Sequence, residues 1–126
     1  MKNPDISWDC NNDSPDPYPN KLNAHNHHGT RCAGEIAMMA NNGKCGVGIA
    51  FNAEIGGIKL LAGDVFDLIE GTALGFAHNK VDIYSSSWGP ADDGVTLEGP
   101  GVFATEAIKR GINEVYDFII LLLCFL

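Results

Sequence analysis

The chain has 126 residues, 45% hydrophobic and 19% charged, a balance that suits one modest globular core and excludes both a disordered chain and a membrane bundle. Acidic residues outnumber basic ones 16 to 8, for a formal charge of -8. Such a surface disfavours nucleic acid, whose phosphates need cationic partners, and suits calcium or basic peptides instead.

Residues 3–28 read as irregular loop, because Asn, Asp, Pro and Ser dominate and Pro15, Pro17 and Pro19 alternate along an extended backbone. From Thr30 to about Ala40 the pattern predicts a helix with Ala33, Ile36, Ala37 and Ala40 on one face. Asn41-Asn42-Gly43 is expected to end it, since these residues tolerate the left-handed cap conformation. Val47–Phe51 and Ile55–Leu61 read as short buried strands. Asp64 is the expected N-cap of a helix carrying Val65, Leu68, Ile69, Thr72 and Phe76. Val81–Ser87 reads as a strand, a Gly- and Asp-rich loop follows, and a helix over Val102–Arg110 is expected to close at Gly111. Strand and helix alternate, the signature of an α/β fold in which helices cover a parallel sheet.

The apolar run Phe118–Leu126 has two readings, a buried parallel strand or a non-native terminus prone to aggregation. At nine residues it is too short to span a bilayer, and no signal peptide opens the chain. Cys10, Cys32, Cys45 and Cys124 show no CxxC spacing, which argues against a zinc ribbon. His25, His27 and His28 lack a fourth nearby ligand for zinc or copper.

The segment richest in chemistry is His28-Gly29-Thr30-Arg31-Cys32-Ala33-Gly34-Glu35, where a histidine stands at the mouth of a small-residue helix with its ring free to move protons. Three more segments follow in order: Asn41–Ala50, with its Asn-Asn-Gly-Lys-Cys-Gly-Val-Gly core; Ile58–Leu61 with Asp64, Asp67 and Glu70; and Asp82–Pro90 with Asp92-Asp93-Gly94. Together they resemble the catalytic domain of subtilisin-like serine proteases of the kexin/furin proprotein convertase type, over about residues 9–112.

The resemblance implies a three-layer subtilisin-like α/β fold with a mostly parallel sheet, present here only as a fragment: a partial catalytic domain in residues 1–112 and a divergent apolar tail in 113–126. It implies a serine endopeptidase that processes precursor proteins after paired basic residues in the secretory pathway, with calcium as cofactor and basic-motif peptides as partners. Acyl transfer there uses a Ser-His-Asp triad in which the histidine takes and returns the serine proton. His28 is that histidine by resemblance, and the segments carrying the aspartate and the serine have no counterpart in these 126 residues. The chain alone is therefore expected to be inactive. The alternatives are a non-catalytic binding or inhibitory module that captures basic peptides, or an unstable gene fragment.

For substrate, the resemblance assigns Ser87, Trp88, Gly89 and Pro90 to backbone pairing with an extended peptide. It assigns Asp92 to the arginine before the scissile bond, Glu98 and Glu70 to the basic residue three positions further upstream, and Asp64 and Asp67 to more distant subsites. Without it, Asp64, Asp67 and Glu70 read as a solvated helix face. One calcium would be held by Asn42 and the backbone oxygens of Met39, Lys44 and Gly46, a second by Asp9 and Asp16, and Asp92 would touch another. His25, Ser14, Ala62 and Ala91 stand where the family often has a carboxylate. Cys32 is expected as a free thiol, and Cys45 matches a family disulfide position whose partner is not in this chain.

Overall fold

The structure is a computed structural model that describes residues 3–20, 27–91, 93–114 and 120–123. The chain forms two compact units, Met1–Ala62 and Gly63–Leu126. Each has its own two-stranded parallel ladder, and three α-helices complete the described architecture, an α/β arrangement as the alternation of elements implied.

In the first unit the segment expected to be loop contains structure. A 3-10 turn, Pro4–Ile6, leads into strand β1, Trp8–Asp9. That strand pairs in parallel with β2, Ile58–Lys59, in the register Trp8 with Ile58 and Asp9 with Lys59. The ladder continues beyond the strands, through Asn3 N–H to Ile55 O and Cys10 N–H to Lys59 O, both 2.8 Å. The polar composition concealed β1 because its strand signal is only two residues long. β2 is correspondingly shorter than the Ile55–Leu61 strand read from the sequence.

Helix α1, His28–Ala37, starts two residues before the expected Thr30 and stops well before Asn41-Asn42-Gly43. Met38 turns extended at the C-cap, at ψ 130°. The reason for the early stop is tertiary. Gly48 N–H donates to Met38 O (2.9 Å), Ile49 N–H to Glu35 O (3.1 Å) and Ala50 N–H to Ile36 O (2.7 Å). The returning chain thus satisfies carbonyls that a helix end leaves without partners. Asn41 and Gly43 do take positive φ, 58° and 68°, but in the loop beyond the helix. The same contact overturns the strand expected at Val47–Phe51: the segment is a turn, with Ile49 96% exposed. Gly48 is buried against the end of α1, where a Cβ would collide with backbone atoms of Ile36, Ala37 and Met38.

In the second unit α2 spans Asp67–Gly75, with Phe66 rather than Asp64 at its N-cap. Strand β3, Ile83–Ser86, buries Tyr84 and Ser86 and exposes Ile83 and Ser85, the period-two alternation of a half-buried strand. It pairs in parallel with β4, Ile120–Leu123, in the register Ile83 with Ile120 through Ser86 with Leu123. Of the two readings of the tail, the parallel strand describes residues 120–123; the rest of 115–126 lies outside the described residues. Helix α3, Val102–Glu114, runs through Gly111 instead of closing there. Ala104 and Ala107 lie on its buried face, and Gly71 and Ala73 on that of α2. The helices approach so closely at Gly71 that a Cβ there would strike the Phe103 backbone. The Tyr84 hydroxyl donates to Phe76 O at 2.7 Å, tying β3 to the end of α2.

Gly48→Ala is expected to destabilise the first unit by about 1–3 kcal/mol through overpacking against the end of α1. Gly29→Ala, in helix α1 with open space around the new methyl, is expected to stabilise by about 0.5–1 kcal/mol. Urea unfolding of the two variants beside the parent chain measures both.

Candidate active site

His28 is the first residue of α1, and His27 at the N-cap offers no side-chain hydrogen bond to the helix. The helix is held at its first turn by Arg31 N–H to His27 O (3.1 Å) and at its far end by the 48–50 segment. The imidazole is exposed, and its Nε2 lies 3.6 Å from Cys32 Sγ, one helical turn on. A solvent-reachable imidazole anchored on a capped helix can accept a proton from a group brought to it and return it to a leaving amine. Cys32 is a free thiol, as expected, and so are Cys10 and Cys45. Burial, reinforced by the Asp9 and Asp13 carboxylates, pushes the Cys10 thiol up. Cys45 is exposed at a positive φ of 51° in the loop after α1.

In the second unit, Ser87, Trp88, Gly89 and Pro90 follow β3 directly, so the strand sets their position. The Trp88 indole N–H donates to Glu70 Oε1 at 3.0 Å. Glu70 and the Trp88 segment are therefore brought together, and one carboxylate oxygen is already committed to orienting the indole. Asp67 is engaged differently. Its Oδ2 accepts Phe103 N–H and its Oδ1 accepts Ala104 N–H, each at 2.9 Å. These are unpaired donors of the first turn of α3, where a carboxylate also opposes the positive end of the helix dipole. Asp67 is thereby fixed as a cap between α2 and α3, a role the sequence reading missed.

Asp64 and Glu98 are exposed, and Asp92 and His25 lie outside the described residues. Asp93 closes a tight turn, accepting Val95 N–H (2.9 Å), Thr96 N–H (2.7 Å) and the Thr96 hydroxyl (2.7 Å). Led by the Thr96 hydroxyl, these donors lower its pKa to about 2.

Of the residues expected to hold calcium, Met39, Asn42, Lys44 and Gly46 all lie in the exposed loop after α1, and Asn42 Oδ1 accepts Lys44 N–H at 2.9 Å. Their oxygens are hard donors of the kind calcium prefers. Asp9 and Asp16 fit the ion poorly. Asp9 is 2% exposed and in contact with the Lys59 ammonium, while Asp16 is exposed with Oδ1 accepting Tyr18 N–H at 3.1 Å. Among the described residues no three His, Cys, Asp or Glu side chains converge as a metal cluster, and no helix is long and apolar enough to cross a membrane.

Residues 1–121 match the Subtilase family, peptidase S8, and the chain belongs to that family of subtilisin-like serine proteases. Within it the likeness is to the proprotein convertases. The chain is 54% identical over 113 residues to furin-1 of Xenopus laevis, covering 88% of this chain and 14% of that protein. It is 52% identical over 112 residues both to human furin and to human proprotein convertase subtilisin/kexin type 4, with 88% of this chain covered in each case. It spans 14% and 15%, respectively, of the lengths of those two relatives.

Replacing Asp67 by Ala is expected to lower stability by about 1 kcal/mol, the usual cost of a lost helix cap, in chemical unfolding followed by far-UV circular dichroism. A pH dependence is expected from Asp9. Burial pushes its carboxyl up, but hydrogen bonds from Lys59, Asn12 and the Asn11 and Asn12 backbone outweigh this and hold it below 3.8. The folded state thus binds fewer protons than the unfolded one, so this contribution is complete above the unfolded value and lost as pH falls through the lowered one. Acid titration of the parent chain is expected to show that loss below pH 3.8, and Asp9→Asn to remove it.

Proposed function

We propose that this chain supplies the general base and part of the substrate cleft of a calcium-dependent serine endopeptidase that processes precursor proteins after paired basic residues in the secretory pathway. The observation that carries the reading is His28, exposed at the first turn of α1, within a sequence about half identical to furins. In that role His28 takes the proton of a serine hydroxyl as it attacks the peptide carbonyl and delivers it to the departing amine.

The substrate side rests on Ser87–Pro90, which follows β3 directly and so is placed by that strand for backbone pairing with a peptide. Asp92, Glu98 and Asp64, with the second oxygen of Glu70, would meet the basic side chains by charge-assisted hydrogen bonds. The contact between Glu70 and Trp88 supports this, because it fixes the indole and the carboxylate together before any substrate arrives. Calcium would be held by Asn42 and the backbone oxygens of Met39, Lys44 and Gly46, where it would order the loop after α1 and take no part in bond making.

The 126 residues carry the histidine without the aspartate and serine of the triad, so the chain alone binds basic peptides and does not turn them over. A fluorogenic Arg-x-Lys-Arg peptide tests this. Hydrolysis is expected to stay at the uncatalysed rate, because the triad's serine nucleophile is not among these residues. Peptide binding is expected to weaken at least tenfold on Asp92→Asn, as befits a lost charged hydrogen bond. Faster turnover that disappears in His28→Ala would overturn the claim of inactivity, and binding indifferent to Asp92→Asn would overturn the subsite assignment.

A further inference from the structure

Asp9 ends β1 with its side chain buried, 2% exposed. Its Oδ1 accepts the N–H groups of Asn11 (2.9 Å) and Asn12 (3.1 Å). Its Oδ2 accepts Asn12 Nδ2 (2.8 Å) and the Lys59 ammonium (2.7 Å). A carboxylate offers roughly four lone-pair positions, and four donors fill them.

The neighbouring oxygens are engaged as well. Ser14 exchanges two backbone hydrogen bonds with Asp9, at 2.7 and 3.2 Å. The Asn11 amide donates to Leu60 O (3.0 Å) and accepts Ala62 N–H (3.1 Å). A calcium ion needs six to eight oxygens facing one point, and here N–H groups converge on the carboxylate instead.

We propose that the Lys59 ammonium is the resident cation of this loop and occupies the place at Asp9 that the family resemblance gives to calcium. The backbone determines the pairing, because Asp9 and Lys59 are register partners in the β1–β2 ladder. The Lys59 side chain is itself only 15% exposed, so the pair is shielded from bulk screening. The cation is covalently part of β2 and cannot be removed by a chelator. Order in residues 9–16 is accordingly independent of calcium, and any calcium requirement arises at other loops.

Competitive acetylation of the 126-residue chain with acetic anhydride, read by peptide mass spectrometry, tests the proposal. The exposed Lys44 and Lys109 serve as internal references. Lys59 is expected to react about tenfold more slowly than either, since a charge-assisted hydrogen bond holds the amine against Asp9 and covers it. Millimolar calcium is expected to leave that rate unchanged. Calcium that accelerates Lys59 acetylation, or a Lys59 as reactive as Lys44 without it, overturns the proposal.

A terbium titration supplies a second readout, because Trp8 adjoins Asp9 and can sensitise lanthanide emission. The parent chain is expected to show no emission that Asp9→Asn removes. Asp9-dependent emission from the parent chain overturns the ammonium as the resident cation.

Discussion

The buried carboxylate of Asp9 is the interaction on which the first unit depends. A lone ionised carboxylate at 2% exposure would be strongly disfavoured, and it persists because two backbone amides, a side-chain amide and the Lys59 ammonium surround it. Those donors come from both sides of the β1–β2 ladder, so the ladder and the ion pair reinforce one another. Strands of two residues have little stability of their own. Here they gain it from a side-chain pair placed by their own register.

From that ladder the chain passes to α1, whose length is set by what meets its end. The carbonyls of Glu35, Ile36 and Met38 are taken by Gly48, Ile49 and Ala50, and the absent side chain of Gly48 permits the approach. The helix that carries His28 is thereby anchored by backbone hydrogen bonds far from the ring, while the imidazole stays open to solvent. The position of the His28 ring is thus set in part from the opposite end of the helix.

The second unit uses small residues and carboxylates to the same end. Gly71 and Ala73 on α2, with Ala104 and Ala107 on α3, bring the helices close enough for Asp67 to cap α3 with both oxygens. Glu70, one turn from Asp67, faces β3's exit and holds Trp88. Three acidic residues that look alike on paper divide into an exposed one, Asp64, a helix cap, Asp67, and a partner of the Trp88 indole, Glu70. Composition alone reads all three as a solvated face.

Much was legible in the sequence because it depends on local pattern. The α/β class, the presence of all three helices, β3 and the position of His28 at a helix mouth follow from periodicity and from runs of neighbouring residues. The family follows from segments long enough to exclude coincidence, and the comparisons agree with it. What the tertiary structure alone decided is where elements end and what the carboxylates do. β1 was hidden in a polar stretch, α1 stopped short of its Asn-Asn-Gly signal, and the strand expected at Val47–Phe51 became a cap on α1. The partners of Asp67 lie 36 and 37 residues away along the chain, and the lysine partner of Asp9 lies 50 away. Hydrogen bonds over such separations leave no periodic trace, because a carboxylate is the same residue whether it meets water, a helix end or a lysine.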